Sequence, residues 1–461
     1  MRSIALLIVI LASIPIIMLK PHVGVLVWSW LSYMNPHRLT WGFTQNFGFA
    51  QIIGAVTILA WLLSKEPKKI PLTPVTAFMI AFVVWMSWTT VFALVPDDAF
   101  QKWVQVMKIM AITFLTLPLI QTRQRLDALV WVIVVSIGFY GVKGGFFVLV
   151  TGGEYLVWGP PNSFIAANNS LALALIMVIP LMRYLQLQAR SVWLRWAWLG
   201  AMGLCGLAVL STYSRGAFLA MIAMLFYMWL KSSHRIVLGV IGALCLVAAV
   251  AFMPDKWTQR IETVQTYEQD GSAMGRLAMW RFGFNVAKDR PFFGGGFEIF
   301  PAMQYYERYG MRICEPGEIA VDCTTKARSS HSIYFEVLGE HGFVGLFLFL
   351  GIGWSALLAG NWVRRRTRKR ADLRWAFDLA TMAQVSMIGY AVGGLFLNRA
   401  YFDLYYHVVA IMVVTRLIVS RALAAEPAPA GKAATAATGS SGPGGRTSLG
   451  TAPTASGIAP G

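Results

Sequence analysis

Leu129-Val-Trp-Val-Ile-Val-Val-Ser-Ile-Gly-Phe-Tyr-Gly-Val-Lys-Gly-Gly-Phe-Phe-Val-Leu-Val150 carries one charge, Lys143, and follows Arg123-Gln-Arg125 almost directly. As a helix, such a run crosses a hydrocarbon layer of roughly 30 Å. Val75–Ala93, Ile236–Phe252 and Val344–Leu358 read the same way, or nearly so. One of them could be the buried core helix of a soluble domain. A series of them cannot, because no soluble core would bury them all. Composition agrees: 57% of the 461 residues are hydrophobic and 13% are charged, against about 25% charged in soluble domains.

The net charge of +18 invites a nucleic-acid reading, but the positions of the charges argue against it. Basic residues cluster at Lys65, Lys68 and Lys69, at Arg123 and Arg125, at Arg190 and Arg195, at Lys231 and Arg235, and at Arg364–Arg370. Each cluster sits in a short connection between apolar runs, which is the positive-inside pattern of a membrane protein. No nucleic-acid partner is expected. Ser3–Leu19 is apolar, but Lys20-Pro21-His22 follows without a small-residue cleavage site, so it reads as a retained segment.

With the basic clusters placed in the cytoplasm, spans are expected near Ala50–Leu63, Val75–Leu94, Trp103–Ile120, Leu129–Val150, Asn169–Leu185 and Trp193–Leu210. Others follow near Gly216–Leu230, Ile236–Met253, Ser332–Leu358, Trp375–Leu397 and Leu404–Val419. Pro15 and Pro21 interrupt Ser3–Met34, which predicts one kinked or broken span there. The expectation is an all-α polytopic membrane protein of about 12 transmembrane helices with both termini cytoplasmic. Two separate N-terminal spans would break that parity unless the N-terminus lay outside. The domain reading is an N-terminal transmembrane bundle (1–253), a large periplasmic loop (254–331), C-terminal transmembrane helices (332–420) and a cytoplasmic tail (421–461). The tail is rich in Ala, Gly, Pro, Ser and Thr, and such a composition buries too little surface to fold.

Among the cysteines, Cys205 and Cys245 fall inside spans and read as packing residues. Cys314 and Cys323 lie in the large loop, where an oxidising compartment favours a disulfide. There is no Gly-x-x-x-x-Gly-Lys-Ser/Thr loop, no Asp-x-Asp pair and no His-Glu-x-x-His motif. ATP-driven work and a metal-held sugar nucleotide are therefore unsupported, and neither cofactor nor metal is expected.

Chemistry gathers on the outer face. Arg215 stands in Ser211-Thr-Tyr-Ser-Arg-Gly216, at the junction of two spans. Its planar fork suits phosphate oxygens, although a snorkelling arginine would look the same. Met274–Asp289 has Met279, Phe282 and Val286 at helical spacing, with Trp280 and Phe284 widening the apolar face. It reads as an amphipathic helix at the membrane surface carrying Arg276 and Arg281, of which Arg281 reads as a surface-binding residue. His331 marks the return of the loop into the membrane, where an imidazole could take a proton from a hydroxyl. Lys143 interrupts an apolar span, and an intramembrane lysine is a functional suspect. Asp403 could pair with Arg399 or with Arg215.

These features together resemble the O-antigen ligase and polymerase superfamily. They are the Ser-Arg-Gly element at a span boundary, the large loop with an arginine-bearing helix, Pro291-Phe-Phe-Gly-Gly-Gly296, and His331-Ser before Glu340-His-Gly-Phe-Val-Gly345. Met34-Asn-Pro-His-Arg-Leu-Thr-Trp-Gly42 and Gly159-Pro-Pro-Asn-Ser-Phe164 look like a subgroup of O-glycosylation ligases. The resemblance implies a GT-C-like glycosyltransferase of the bacterial inner membrane with its active site on the periplasmic side. The donor would be a glycan on undecaprenyl diphosphate. The acceptor would be a hydroxyl of the lipid A core, or of another glycan or a protein. It further implies Arg215 and Arg276 as holders of the donor diphosphate, with Lys143 beside them, His331 as the base, and Asp403 and Arg281 in support. A polymerase would share the donor chemistry. A transporter would favour charges spread through a midplane cavity and internal repeats, which the chain does not display.

The orientation is testable with single cysteines introduced into intact cells. A cysteine within 254–330 is expected to react with a membrane-impermeant reagent, and one beside Arg366 is not. Labelling beside Arg366 overturns the arrangement.

Overall fold

The computed structural model describes residues 2–231, 236, 271–312 and 328–425. Ile236 apart, the expected span Ile236–Met253 lies outside the described residues, as do Cys314, Cys323 and the tail after Ala425. Met1–Val419 forms one compact unit. Its elements are α1 (Arg2–Leu19), α2 (His22–Met34), α3 (Phe49–Leu63), α4 (Pro74–Val91), α5 (Pro96–Leu119), α6 (Arg123–Thr151), α7 (Asn168–Gln188), α8 (Val192–Leu210), α9 (Arg215–Lys231), α10 (Gly271–Asp289), α11 (Ile333–Thr367), α12 (Arg374–Gly393) and α13 (Asp403–Ala424). Among the described residues there is no β-strand, and nine helices are long and apolar enough to cross a membrane. The chain is an all-α polytopic membrane protein.

Charge distinguishes the two ends of the bundle. At one end Arg125 pairs with Glu66 at 2.8 Å, Arg123 bonds Gln188 at 3.1 Å and lies over Trp375, and Gln188 bonds Asp378 at 3.3 Å. These contacts tie four of the basic connections together. The connections that follow α2, α4, α6, α8 and α12 lie at the opposite end, with α10 and the start of α11.

The N-terminal stretch departs from expectation. Lys20-Pro21-His22 is a tight reversal, with the Val23 amide donating to the Lys20 carbonyl at 2.9 Å. His22 faces Arg125 and Glu66, so the reversal sits at the basic end. Ser3 Oγ bonds the Trp41 carbonyl at 3.0 Å and Arg2 lies over the Trp41 ring, just beyond the end of α2. α1 and α2 are therefore two antiparallel helices, not one broken span, and the chain starts at the end opposite the basic clusters. Proline at 21 supplies no amide to continue α1 and starts α2 instead. α2, with 13 residues, covers about 20 Å.

α11 has a break at the end opposite the basic clusters. Its 35 residues would run about 52 Å if straight. At Gly342 the backbone leaves the helix, with φ 69° and ψ −170°. The short piece Ile333–His341 is thus set off from the long span that follows. A break frees peptide groups, which an apolar layer does not tolerate unpaired. Here Gly295 and Gly296 donate to the carbonyls of Gly339 and Glu340, both at 2.8 Å, and Phe343 donates to the Pro291 carbonyl at 2.9 Å. The glycine run passes so close that a Cβ at Gly294 would come within 2.7 Å of the Gly339 carbonyl oxygen.

α10 takes the helical form expected of Met274–Asp289, and Met279, Phe282 and Val286 are fully buried. They do not face lipid. They pack against Ile299, Phe300, Tyr306 and Tyr309 in a small core of their own, which leaves Leu277 and Phe284 exposed.

Gly342→Ala is expected to lower the melting temperature of the detergent-solubilised protein sharply. Its Cβ would meet the carbonyls of Pro291 and Phe292, at a φ that side chains rarely adopt. Gly203→Ala, in α8 with open space around it, should be neutral or stabilise by about 0.5–1 kcal/mol. Equal behaviour of the two would show that the break is not required.

Candidate functional site

The site is built at the free N-terminal end of the short helix Ile333–His341. Trp280 of α10 donates to the Ser330 carbonyl at 2.9 Å and stacks on Phe335, with ring centroids 5.1 Å apart. This pins α10 to the start of α11. Arg276 lies one turn before Trp280 on the same face, and its charge reaches His331. Arg328 packs over Gly275 and donates its amide to the Tyr306 hydroxyl at 3.1 Å.

The loop between α12 and α13 closes the other side. Glu336, buried in the short helix, accepts the Ala400 amide at 2.9 Å. Glu340, one turn on, accepts the Tyr401 hydroxyl at 2.5 Å and the Glu298 amide at 3.0 Å. Tyr390 bonds the Arg399 carbonyl at 2.8 Å. Arg399 is thereby held beside His331, and its Nε is buried without an acceptor among the described residues. Arg215 approaches the same loop from α9, because Gly216 packs against Phe396 while Gly394 packs against Ile333.

His331 is half-buried, with a backbone φ of 47°. This left-handed conformation is uncommon outside glycine and is over-represented at functional sites. Ser329 Oγ lies 3.3 Å from its Nε2. Burial pulls its pKa below the usual 6.5, and the charges of Arg276, Arg328 and Arg399 pull it further. The ring is therefore neutral at neutral pH and free to accept a proton. Burial likewise lowers the pKa of Arg399. Ser332, at the head of the short helix, makes no side-chain cap, and its Oγ is buried without a partner. An uncapped helix start among arginines favours an anion.

Comparison with known families places residues 200–350 in the family described as O-antigen ligase. The chain carries an O-antigen ligase domain. Residues 1–190 match a second family, one of unknown function (DUF5935). No curated protein matches the chain. With its membrane helices, the chain is a multi-pass membrane protein that bears a region matching this ligase family.

Arg215, Arg276 and His331 all fall within the ligase domain. The remaining expected residues are placed differently. Lys143 is exposed on α6, among the exposed Phe139, Phe146 and Phe147. Gly141, Gly144 and Gly145 are the residues that let α6 approach α8 closely, and this turns Lys143 outward and not toward His331. Asp403, whose partner the sequence left open, accepts from Ser32 of α2 and from the Leu404 amide. Arg281 is exposed on α10. Sequence reasoning passed over Glu336 and Glu340. Two carboxylates four residues apart at the start of an apolar span are themselves a signal, because such groups are retained in membranes only where they are bonded.

The lowered pKa gives the ligase domain a pH signature. Only the neutral ring accepts a proton, so if His331 serves as the base, activity is expected above its folded pKa and is lost as pH falls through it. The acid limb of kcat/KM should lie below pH 6.5. Arg328→Gln removes one of the charges that depress the pKa and should shift the limb upward. A wild-type limb above 6.5, or one unmoved by the substitution, would remove the arginines from control of His331.

Proposed function

We propose that the protein transfers a glycan from undecaprenyl diphosphate to an acceptor hydroxyl, that of the lipid A core, at the periplasmic face of the bacterial inner membrane. The observation that carries this reading is His331, kept neutral among arginines at an uncapped helix start. Arg215 and Arg276 hold the donor diphosphate. As the glycosidic bond breaks, the bonding pair passes to the lipid diphosphate, and fixed guanidinium groups stabilise that growing charge. His331 takes the proton of the acceptor hydroxyl while its oxygen attacks the anomeric carbon. Attack from the face opposite the leaving group gives inversion. Arg328 and Arg399 add to the field around the base, and Glu336 and Glu340 position the loop that carries Arg399. In this reading Arg281 binds the membrane surface and Asp403 anchors α13 to α2, while Lys143 takes no part in holding the donor.

The reading is tested by measuring donor binding and transfer on the same folded preparations. His331→Ala should reduce turnover by about 10²–10⁴-fold while donor binding stays close to wild type. Arg215→Lys and Arg276→Lys should lose most activity although the charge is kept, because a point ammonium cannot reproduce the two-pronged contact. Near-normal transfer by His331→Ala, or loss of donor binding in step with transfer, removes His331 from the role of base.

A further inference from the structure

We infer that the N-terminal region of unknown function builds a lateral binding site for a single-chain lipid phosphate, the polyprenyl diphosphate of the donor. A cavity of about 660 Å³ lies between α2, α3 and α5. Both sequence motifs that the catalytic reading leaves unused line it: Asn35, His37 and Arg38 from the first, and Asn162, Ser163 and Phe164 from the second. Asn35 and Asn162 both hold positive φ, at 47° and 57°. Backbone in that conformation persists only where its surroundings enforce it.

The charge of the lining is one-sided. Arg38, Lys108 and Arg399 line the cavity, and no carboxylate does among the described residues. Arg38 Nε is buried without an acceptor, as is Arg399 Nε. Lys108 lies in a membrane-spanning helix, twelve residues and about 18 Å from its start, with no ion-pair partner among the described residues. A cation at that depth is costly without a counter-charge. The cavity therefore calls for an anion.

The rest of the wall is apolar and opens sideways. Gly54, Ala55 and Ile58 of α3 face Ala111 and Ile112 of α5, and Ala55, Ile58 and Ala111 are exposed on the flank of the bundle. A gap between two helices admits one hydrocarbon chain, not the several of a multi-acyl lipid. Arg399 belongs both to this lining and to the surroundings of His331. A phosphate seated here lies next to the proposed reaction centre while its chain leaves through the gap into the membrane. The inference rests on the proposed transfer reaction for the identity of the lipid.

The test uses the full-length protein in phosphatidylcholine nanodiscs, titrated with undecaprenyl diphosphate, phosphatidylglycerol and inorganic pyrophosphate. Arg38→Gln and Lys108→Gln should each weaken undecaprenyl diphosphate binding about tenfold or more. Ala55→Trp, at an exposed position where folding is not at risk, should narrow the gap and weaken the lipid but not pyrophosphate. Phosphatidylglycerol should not compete. Wild-type affinity in all three variants overturns the site, and equal competition by phosphatidylglycerol overturns its selectivity. Loss in the charge variants with none in Ala55→Trp overturns the chain slot. His331→Ala keeps the two readings apart. If it still transfers, the catalytic assignment fails and the cavity stands on binding alone. If it loses transfer while the cavity variants bind normally, only the cavity fails.

Discussion

A peptide group freed inside an apolar layer must find a partner, and the break at Gly342 frees several at once. The Gly294–Gly296 run meets that demand. Its amides take the carbonyls of Gly339 and Glu340, and the Pro291 carbonyl takes the Phe343 amide. This exchange locks the segment after α10 to the start of α11. It also sets the direction of the short helix, and so where its uncapped first turn lies. His341 seals the joint from the other side, with Nδ1 2.6 Å from Thr89 Oγ1 and its carbonyl accepting from Trp85 at 3.0 Å. Three segments far apart in sequence thus converge on one glycine. A side chain there, or at Gly294 or Gly296, would push them apart.

The charges at the site follow from that geometry. An isolated histidine at the membrane boundary would be unremarkable. This one sits in a strained backbone beside a helix start, with Arg276, Arg328 and Arg399 around it. Like charges held together in a partly dry place destabilise the empty protein and favour whatever anion relieves them. That is how a preorganised site contributes to catalysis: the cost of assembling the charges is met during folding, not during the reaction. In the proposed reaction the field that would hold the donor diphosphate also keeps the imidazole deprotonated, so donor binding and base strength would have one physical origin. The two effects also oppose each other once the site is filled. A bound diphosphate offsets the cations and raises the proton affinity of the ring, which makes it a stronger base when the donor is in place.

The membrane fold was readable because apolar runs and basic connections are bulk properties that survive any detail of packing. The break in α11 was not readable as a break. Gly342 is one of many glycines in the chain, and only a partner loop of the right shape turns a glycine into a helix end. The N-terminal stretch misled for a related reason. Proline marks an interruption, but only the contacts of Arg2 and Ser3 with Trp41 distinguish a bend from a reversal. Arg215, Arg276 and His331 were recognisable from their local motifs. Arg399 was visible only as a possible partner of Asp403, because nothing local says that Glu336 and Glu340 hold its loop. Lys143 shows the converse failure. A charge in an apolar run is conspicuous in sequence, yet the glycines beside it decide which way it faces.

The loop that carries Arg399 belongs to neither of the two matched regions, yet it touches what both contribute. On one side its backbone is bonded to Glu336 and Tyr390, and its Tyr401 hydroxyl to Glu340. On the other its arginine lines the wall shared with Asn35 and Arg38. Tyr406 adds a bond to the Ala400 carbonyl at 3.0 Å. In the proposed reading the loop offers a guanidinium in one place, and a substrate would be selected by whether its phosphate arrives there. Discrimination among lipids then falls to the apolar gap between α3 and α5, where chain number and width matter. Orientation for the reaction falls to the fixed cations. In the proposed reading the N-terminal region contributes the apolar gap together with two cations, Arg38 and Lys108, and the ligase domain contributes the cations around His331. The rigid loop between α12 and α13 is where the two have to agree.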